Sequence, residues 1–268
     1  RQQPYSSIPA KQRAFCLKTS YMTFILNTYI ITNKRTYDPI IKNNEELLIT
    51  TFEDYITNKI NKYVGLSVGE LCINFNMNYE KKVKNLESKL AFKILGINSN
   101  NAEEFVKANI VVKSIRLNHN NTIKESMSFP AFKFKELVEE EWENSTLYNY
   151  LSETRFFFVI YKFDQNGILR LKGCQFWNIP YNNLENEVYK VWSLTRKIIL
   201  EGIKITVKNG KHYNNLPSAS ENPVCHVRPH AQKRLDTYEL PDGSQFTKQS
   251  FWLNNTYIAS QLKQKFKN

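Results

Sequence analysis

Phe156-Phe157-Phe158-Val159-Ile160 is an unbroken apolar run of aromatic and β-branched residues. Such a run offers water no polar face, so Arg155 to Tyr161 reads as a buried central strand. It is far shorter than the roughly 20 residues of a membrane-crossing helix. The rest of the chain can supply the surrounding core: 41% of its 268 residues are hydrophobic, with 17 Phe, 15 Tyr and 4 Trp. That content excludes a disordered chain and suits one large or two small domains. No secretory signal is recognised, and because the chain opens on Arg1 it is expected to be a fragment of a longer protein.

Periodicity places the other elements. Lys11 to Ile31, Leu47 to Tyr63 and Glu80 to Leu95 carry apolar residues at helical spacing, and Gly96 is the expected stop of the last. Ser67-Val68-Gly69-Glu70 fits a capping box opening a short helix. The character changes at Ala108. Ile110 to Leu117 reads as a strand, Ile168 to Ile179 as one or two strands, and Phe132 to Trp142 and Leu184 to Leu200 as helices. Asn209-Gly210 within Ile203 to Tyr213 signals a hairpin. Val224 to Arg228 reads as a short strand, Leu240-Pro241-Asp242-Gly243 as a turn, and the stretch from Ser250 or Asn254 to Phe266 as a terminal helix. The pattern predicts a single α/β (α+β) domain over 1–268: a mainly helical part over 1–100, then a mixed-sheet part over 108–268.

The charge narrows the partners. Lys and Arg number 37 against 25 Asp and Glu, a net charge of +12. This balance favours a polyanion, and no basic amphipathic helix points to a membrane. Basic residues interleave with aromatics between Arg228 and Lys248, which suits nucleic acid. Cys16, Cys72, Cys174 and Cys225 form no C-x-x-C pair, so they read as buried free thiols in a reducing cytoplasm. Cys225, His226 and His230 contain an H-x3-H spacing but lack a fourth ligand, so no metal site is assigned there.

Cys225-His226-Val227-Arg228-Pro229-His230, Leu240-Pro241-Asp242-Gly243 and Thr247-Lys248-Gln249-Ser250-Phe251-Trp252-Leu253-Asn254 together resemble the C-terminal signature of the MutH family. The restriction branch of that family is the Sau-three-AI type, specific for GATC. Ser67 to Leu71, Leu90 to Gly96, Ile110 to Lys113, Gln3-Pro4-Tyr5, Lys11 to Phe15 and Lys124 to Lys133 extend the likeness, most closely to the C-terminal half of that branch. The resemblance implies a restriction-endonuclease-like fold, a mixed central sheet flanked by helices, in a bacterial cytoplasmic protein. It also implies a duplicated parent enzyme, with an N-terminal catalytic half that uses Mg²⁺ and a C-terminal half that binds a second DNA site.

The family's catalytic set combines a helix glutamate, an aspartate and an E-x-K triplet, whose carboxylates hold Mg²⁺ against the scissile phosphate. In this chain those positions fall on Phe92, on Glu104 and on Val111-Val112-Lys113. Two carboxylates are replaced by apolar side chains, so no catalytic residue, no metal ligand and no cofactor are assigned to this domain. A loose further match is Arg155. Glu103, Glu104 and Glu125 are the candidates for a substitute metal cluster.

The DNA-reading residues survive better, over the segment 224–254. The resemblance places Arg228 against guanine in the major groove, with Pro229 fixing the backbone and His230 where the family can have lysine. Lys233, Arg234 and Lys248 are expected at phosphates. Phe246 falls where the DNA-repair relative probes adenine, here without a hydroxyl. Phe251 and Trp252 are expected in the core. The expected function is therefore GATC-duplex binding by an allosteric effector domain that does not cleave. Its expected partners are GATC duplex, the N-terminal catalytic half of its own chain and a second, DNA-induced copy, with no membrane. The alternatives are an active Mg²⁺ nuclease with a rearranged site, and a protein-interaction or dimerisation module.

Overall fold

In a computed structural model of the chain, residues 16–31, 37–79, 85–98, 102–209, 211–233 and 235–267 are described. In chain order they form α1 (Thr19–Ile25), α2 (Phe52–Asn61), α3 (Val68–Asn74), α4 (Leu86–Leu95), α5 (Glu103–Ala108), β1 (Ile110–Leu117), β2 (Met127–Phe132), α6 (Phe134–Glu139), α7 (Thr146–Glu153), β3 (Arg155–Phe163) and β4 (Leu169–Trp177). Then follow α8 (Tyr189–Glu201), β5 (Ile205–Lys208), β6 (Lys211–Asn214), β7 (Cys225–Pro229), β8 (Thr237–Glu239), β9 (Gln245–Thr247), β10 (Gln249–Leu253) and α9 (Asn255–Gln261). This is a mixed α and β fold.

The apolar run is the centre of the first sheet. β3 pairs in parallel with β1 on one edge and antiparallel with β4 on the other. Side chains alternate across a strand, so β3 feeds two cores at once. Phe156, Phe158 and Ile160 join one cluster with β2, α6, α7 and α8, while Phe157, Val159 and Tyr161 join a second with α2 to α5. All six are fully buried, and truncating any one of the phenylalanines to alanine costs about 3–5 kcal/mol at such sites. Gly173 of β4 lies opposite Ile160, at the point where the β3–β4 register shifts. It has φ +134° and a Cβ there would stand 3.0 Å from Phe266, so the close approach of the C-terminal segment requires glycine.

A second sheet, in the order β2–β10–β7, is antiparallel. Its inner face places Phe129, Cys225, Val227, Phe251 and Leu253 in the first core. Its outer face carries His226, Arg228 and Trp252. One central sheet was expected; among the described residues there are two of three strands each, plus the hairpins β5–β6 and β8–β9. β2 follows β1 in the chain but pairs with β10, near the other end of the sequence, and local periodicity holds no signal for such a partner.

Several boundaries also move, for local reasons. The expected Leu47–Tyr63 helix is divided: a 3₁₀ turn spans Asn44–Leu48, and α2 begins only where the Thr51 hydroxyl caps the Asp54 N–H at 3.1 Å. The Ser67–Glu70 capping box forms as expected, and Gly96, at φ +79°, ends α4. Ser250 lies in β10 instead of in the terminal helix, which begins at Asn255. Lys11–Phe15, Glu80–Lys84 and Gly210 lie outside the described residues.

Candidate nucleic-acid interface

The outer face of the second sheet follows from alternation. His226 and Arg228 on β7 and the following His230 point to one side, away from core-facing Cys225 and Val227. Ser250 stands opposite Arg228, and Trp252 opposite His226. The Arg228 guanidinium lies 4.9 Å from the Trp252 ring centroid, and the His230 ring 5.6 Å from it. Arg228 and His230 are exposed; Trp252 is half-buried. Trp252, expected in the core, is instead the floor under Arg228, whereas Phe251 is buried in the core and packs 4.9 Å from Phe132. The H-x-R-x-H spacing of 226–230 already implies one shared strand face. The cross-strand tryptophan needed the pairing of β10.

Arg228 differs from the other described arginines. Arg116, Arg155 and Arg170 are ion-paired with Glu87, Glu53 and Asp164, and Arg196 donates to the Val138 carbonyl at 2.8 Å. Among the described residues no carboxylate or carbonyl engages Arg228. Its five N–H donors are therefore presented, in planar array, to whatever approaches the sheet.

The neighbouring residues divide. Pro229 is exposed and continues the strand, and His230 N–H donates to the Lys248 carbonyl at 2.9 Å. Lys233 is exposed, with its side chain directed to solvent; Arg234 lies outside the described residues. Two expectations change. Lys248, expected to be free for phosphate, is ion-paired with Asp236 and lies 4.6 Å from the Tyr238 ring centroid. The hydrogen bond to the Asp236 carboxylate raises its pKa. Phe246, expected at adenine, is half-buried and packs edge-on against Phe134 with centroids 5.8 Å apart. Sequence reading missed Asp236, because the partnership depends on how the β8–β9 hairpin folds back.

His226 locks the base of this surface. Its Nδ1 lies 2.6 Å from Asn254 Oδ1, and Asn254 Nδ2 donates to the Asn222 carbonyl at 2.7 Å. With Nδ2 donating, Oδ1 is the acceptor and His226 Nδ1–H the donor. Burial holds the His226 pKa below the ordinary histidine value, and nearby Arg228 pushes the same way. On acidification the unfolded chain therefore takes up this proton first, so stability falls as pH drops below about 6.5. In urea titrations between pH 7 and 5, His226→Gln should show a flatter decline than the parent; an equally steep decline would remove His226 as its source.

The positions aligned with the catalytic set have other partners in the fold. Glu104 on α5 accepts the backbone N–H of Ile40 at 3.0 Å and of Ile41 at 2.9 Å, so its carboxylate ties the 37–41 segment onto α5. Lys113 shares a strand face with Val111, and burial lowers its pKa. Phe92 packs into the second core. Arg155 is ion-paired with Glu53 at 2.5 Å and stacks on Phe176. Of the substitute cluster, Glu103 is paired with Lys107 and Glu125 is exposed in the loop before β2. Cys225 and His226 face opposite sides of β7, and burial pushes the Cys225 thiol up to about 12. Among the described residues no three His, Cys, Asp or Glu side chains converge. An Mg²⁺ ion of the kind the catalytic motif holds does not fit here, because Phe92 and Val111 carry no donor and Glu104 is committed to two backbone N–H groups.

The same sequence aligns with the type II restriction enzyme Sau3AI of Staphylococcus aureus at 37% identity over 302 positions. This chain is related to a restriction enzyme. The alignment takes in 98% of the chain but 61% of that enzyme, so the chain spans about three-fifths of its relative's length. No known family profile matches it. No helix among the described residues is long and apolar enough to cross a membrane. The described cysteines are all free thiols; Cys72, Cys174 and Cys225 are buried, whereas Cys16, expected to be buried as well, is exposed because it precedes α1.

Proposed function

We propose that the chain is a DNA-binding effector domain of the MutH-like, restriction-endonuclease type, which binds GATC duplex through Arg228 and its neighbours and does not itself cleave. The observation that carries this reading is Arg228: an exposed guanidinium, free of any described acid, held on an open sheet face. A planar fork of donors matches the O6 and N7 acceptors of guanine. Pro229, His230 and Lys233 would flank that contact, and the resemblance assigns Lys233 and Arg234 to phosphates. The excess positive charge supports the approach to DNA. Lys248, paired with Asp236, and Phe246, packed on Phe134, are left out of the reading set.

The reading without cleavage is supported by the chemistry of Phe92, Glu104 and Val111, since phosphodiester hydrolysis of this class needs carboxylate-held metal. In a longer parent protein the domain would act on a separate Mg²⁺-dependent catalytic half in a bacterial cytoplasm. DNA would bind the active conformation more tightly than the inactive one, with a DNA-induced dimer as one route.

The test is competition binding of the chain to a GATC duplex against a scrambled duplex at about 0.15 M salt, where non-specific attraction is already weakened. A parallel sample of supercoiled plasmid receives Mg²⁺. GATC preference without nicking is the expected result. Nicking that is lost in Glu104→Gln would establish the rearranged nuclease instead. Absence of salt-dependent binding would leave a protein-interaction module.

A further inference from the structure

We propose that Trp252 is the positioning residue for Arg228, so that the cross-strand pair, and not the arginine alone, sets sequence discrimination. The inference rests on the reading of Arg228 as the guanine-contacting residue. Three observations carry it.

First, among the described residues Arg228 has no other anchor. Directly across the ladder stands Ser250, whose hydroxyl is turned inward to donate to the Phe129 carbonyl at 2.5 Å. No described carboxylate is paired with the guanidinium, and the Trp252 ring 4.9 Å away is what holds it. An unanchored arginine samples many rotamers and must surrender that freedom when it meets a base. One already lying on an indole face surrenders less, and its edge donors remain free, because the ring engages only the guanidinium plane.

Second, the pairing aims the ring. β10 and β7 run in unbroken antiparallel register from Gln249 opposite Pro229 to Leu253 opposite Cys225. Trp252 therefore stands directly across from His226 and is the diagonal neighbour of Arg228 on the same face, a spacing within reach of an indole ring.

Third, the ring is fixed by packing and not by its own polar group. Trp252 Nε1 is buried without a hydrogen-bond partner among the described residues. The ring stacks on buried His226 at 6.5 Å and 21°, and His226 is itself held by Asn254. His226 and Trp252 are therefore consecutive supports beneath Arg228, and the exposed His230 ring leans on the same indole. A tryptophan in this position has no need of its N–H, so a phenyl ring should serve nearly as well.

The experiment measures affinity for GATC and scrambled duplexes, and the salt dependence of each, in the full chain and in Trp252→Leu, Trp252→Phe, Arg228→Ala and the Arg228→Ala/Trp252→Leu double variant. Circular dichroism confirms that each is folded. Trp252→Leu should lower discrimination about threefold to fivefold, the size of an exposed cation–π contact, with the salt slope unchanged. Trp252→Phe should retain discrimination. In the Arg228→Ala background, Trp252→Leu should add nothing, since its effect passes through the arginine. Equal loss from Trp252→Leu with and without Arg228 would overturn the proposal in favour of direct base stacking by Trp252. Full discrimination in Trp252→Leu, alongside its loss in Arg228→Ala, would overturn the positioning role alone. Full discrimination in Arg228→Ala would overturn the guanine contact and this inference with it.

Discussion

Arg228→Ala is expected to reduce the preference for GATC over scrambled duplex by about 1–3 kcal/mol, roughly fivefold to 150-fold. The fold should survive, because the side chain is exposed and its loss opens no cavity in either core. Overall affinity at low salt should fall less than discrimination does. The remaining basic residues still attract phosphates, and one lost cation changes the salt slope by about one. Arg228→Lys separates charge from geometry: it keeps the cation but loses the two-pronged fork, so affinity should be largely retained while preference is not. Competition titrations of the three proteins on the two duplexes decide it. Unchanged preference in Arg228→Ala would move the reading residue elsewhere on the chain.

The second large effect concerns stability. Glu104→Ala should destabilise the chain by about 2–3 kcal/mol, because two charge-assisted hydrogen bonds to the Ile40 and Ile41 N–H groups disappear and leave those donors unmet. Ile40 is 1% exposed and belongs to the second core, so the segment cannot simply turn to water. Glu104→Gln keeps an acceptor oxygen and should lose less. Urea unfolding measures both. If the carboxylate is a structural tie, saturating Mg²⁺ leaves the unfolding midpoint of the parent protein unchanged, and both variants still bind DNA. A midpoint raised by Mg²⁺ in the parent and not in Glu104→Gln would make Glu104 a metal ligand and reopen the nuclease reading.

These two residues show how differently the chain discloses its parts. Arg228 was singled out by the resemblance of its segment to a known signature, and the structure places it with His226 and His230 on the face of β7 opposite Cys225 and Val227. Glu104 was visible as a carboxylate at a catalytic position, but its engagement with Ile40 and Ile41, far away in the chain, was not. The neighbours of Lys248 and Phe246 were invisible for the same reason. Asp236 and Phe134, which occupy them, are brought there by the folding back of the β8–β9 hairpin and by α6.

The sequence by itself determined the buried strand over Arg155–Tyr161, the capped start of α3 at Ser67 and the stop at Gly96. Each depends on steric and hydrogen-bonding preferences that act within a few residues, so the pattern is written in adjacent positions. Tertiary structure alone decided that the strands divide into two sheets, that β10 lays Trp252 beneath Arg228, and that Glu104 ties down the 37–41 segment. Those outcomes come from contacts between distant segments competing for the same buried space, and the winner depends on the packing of the whole chain.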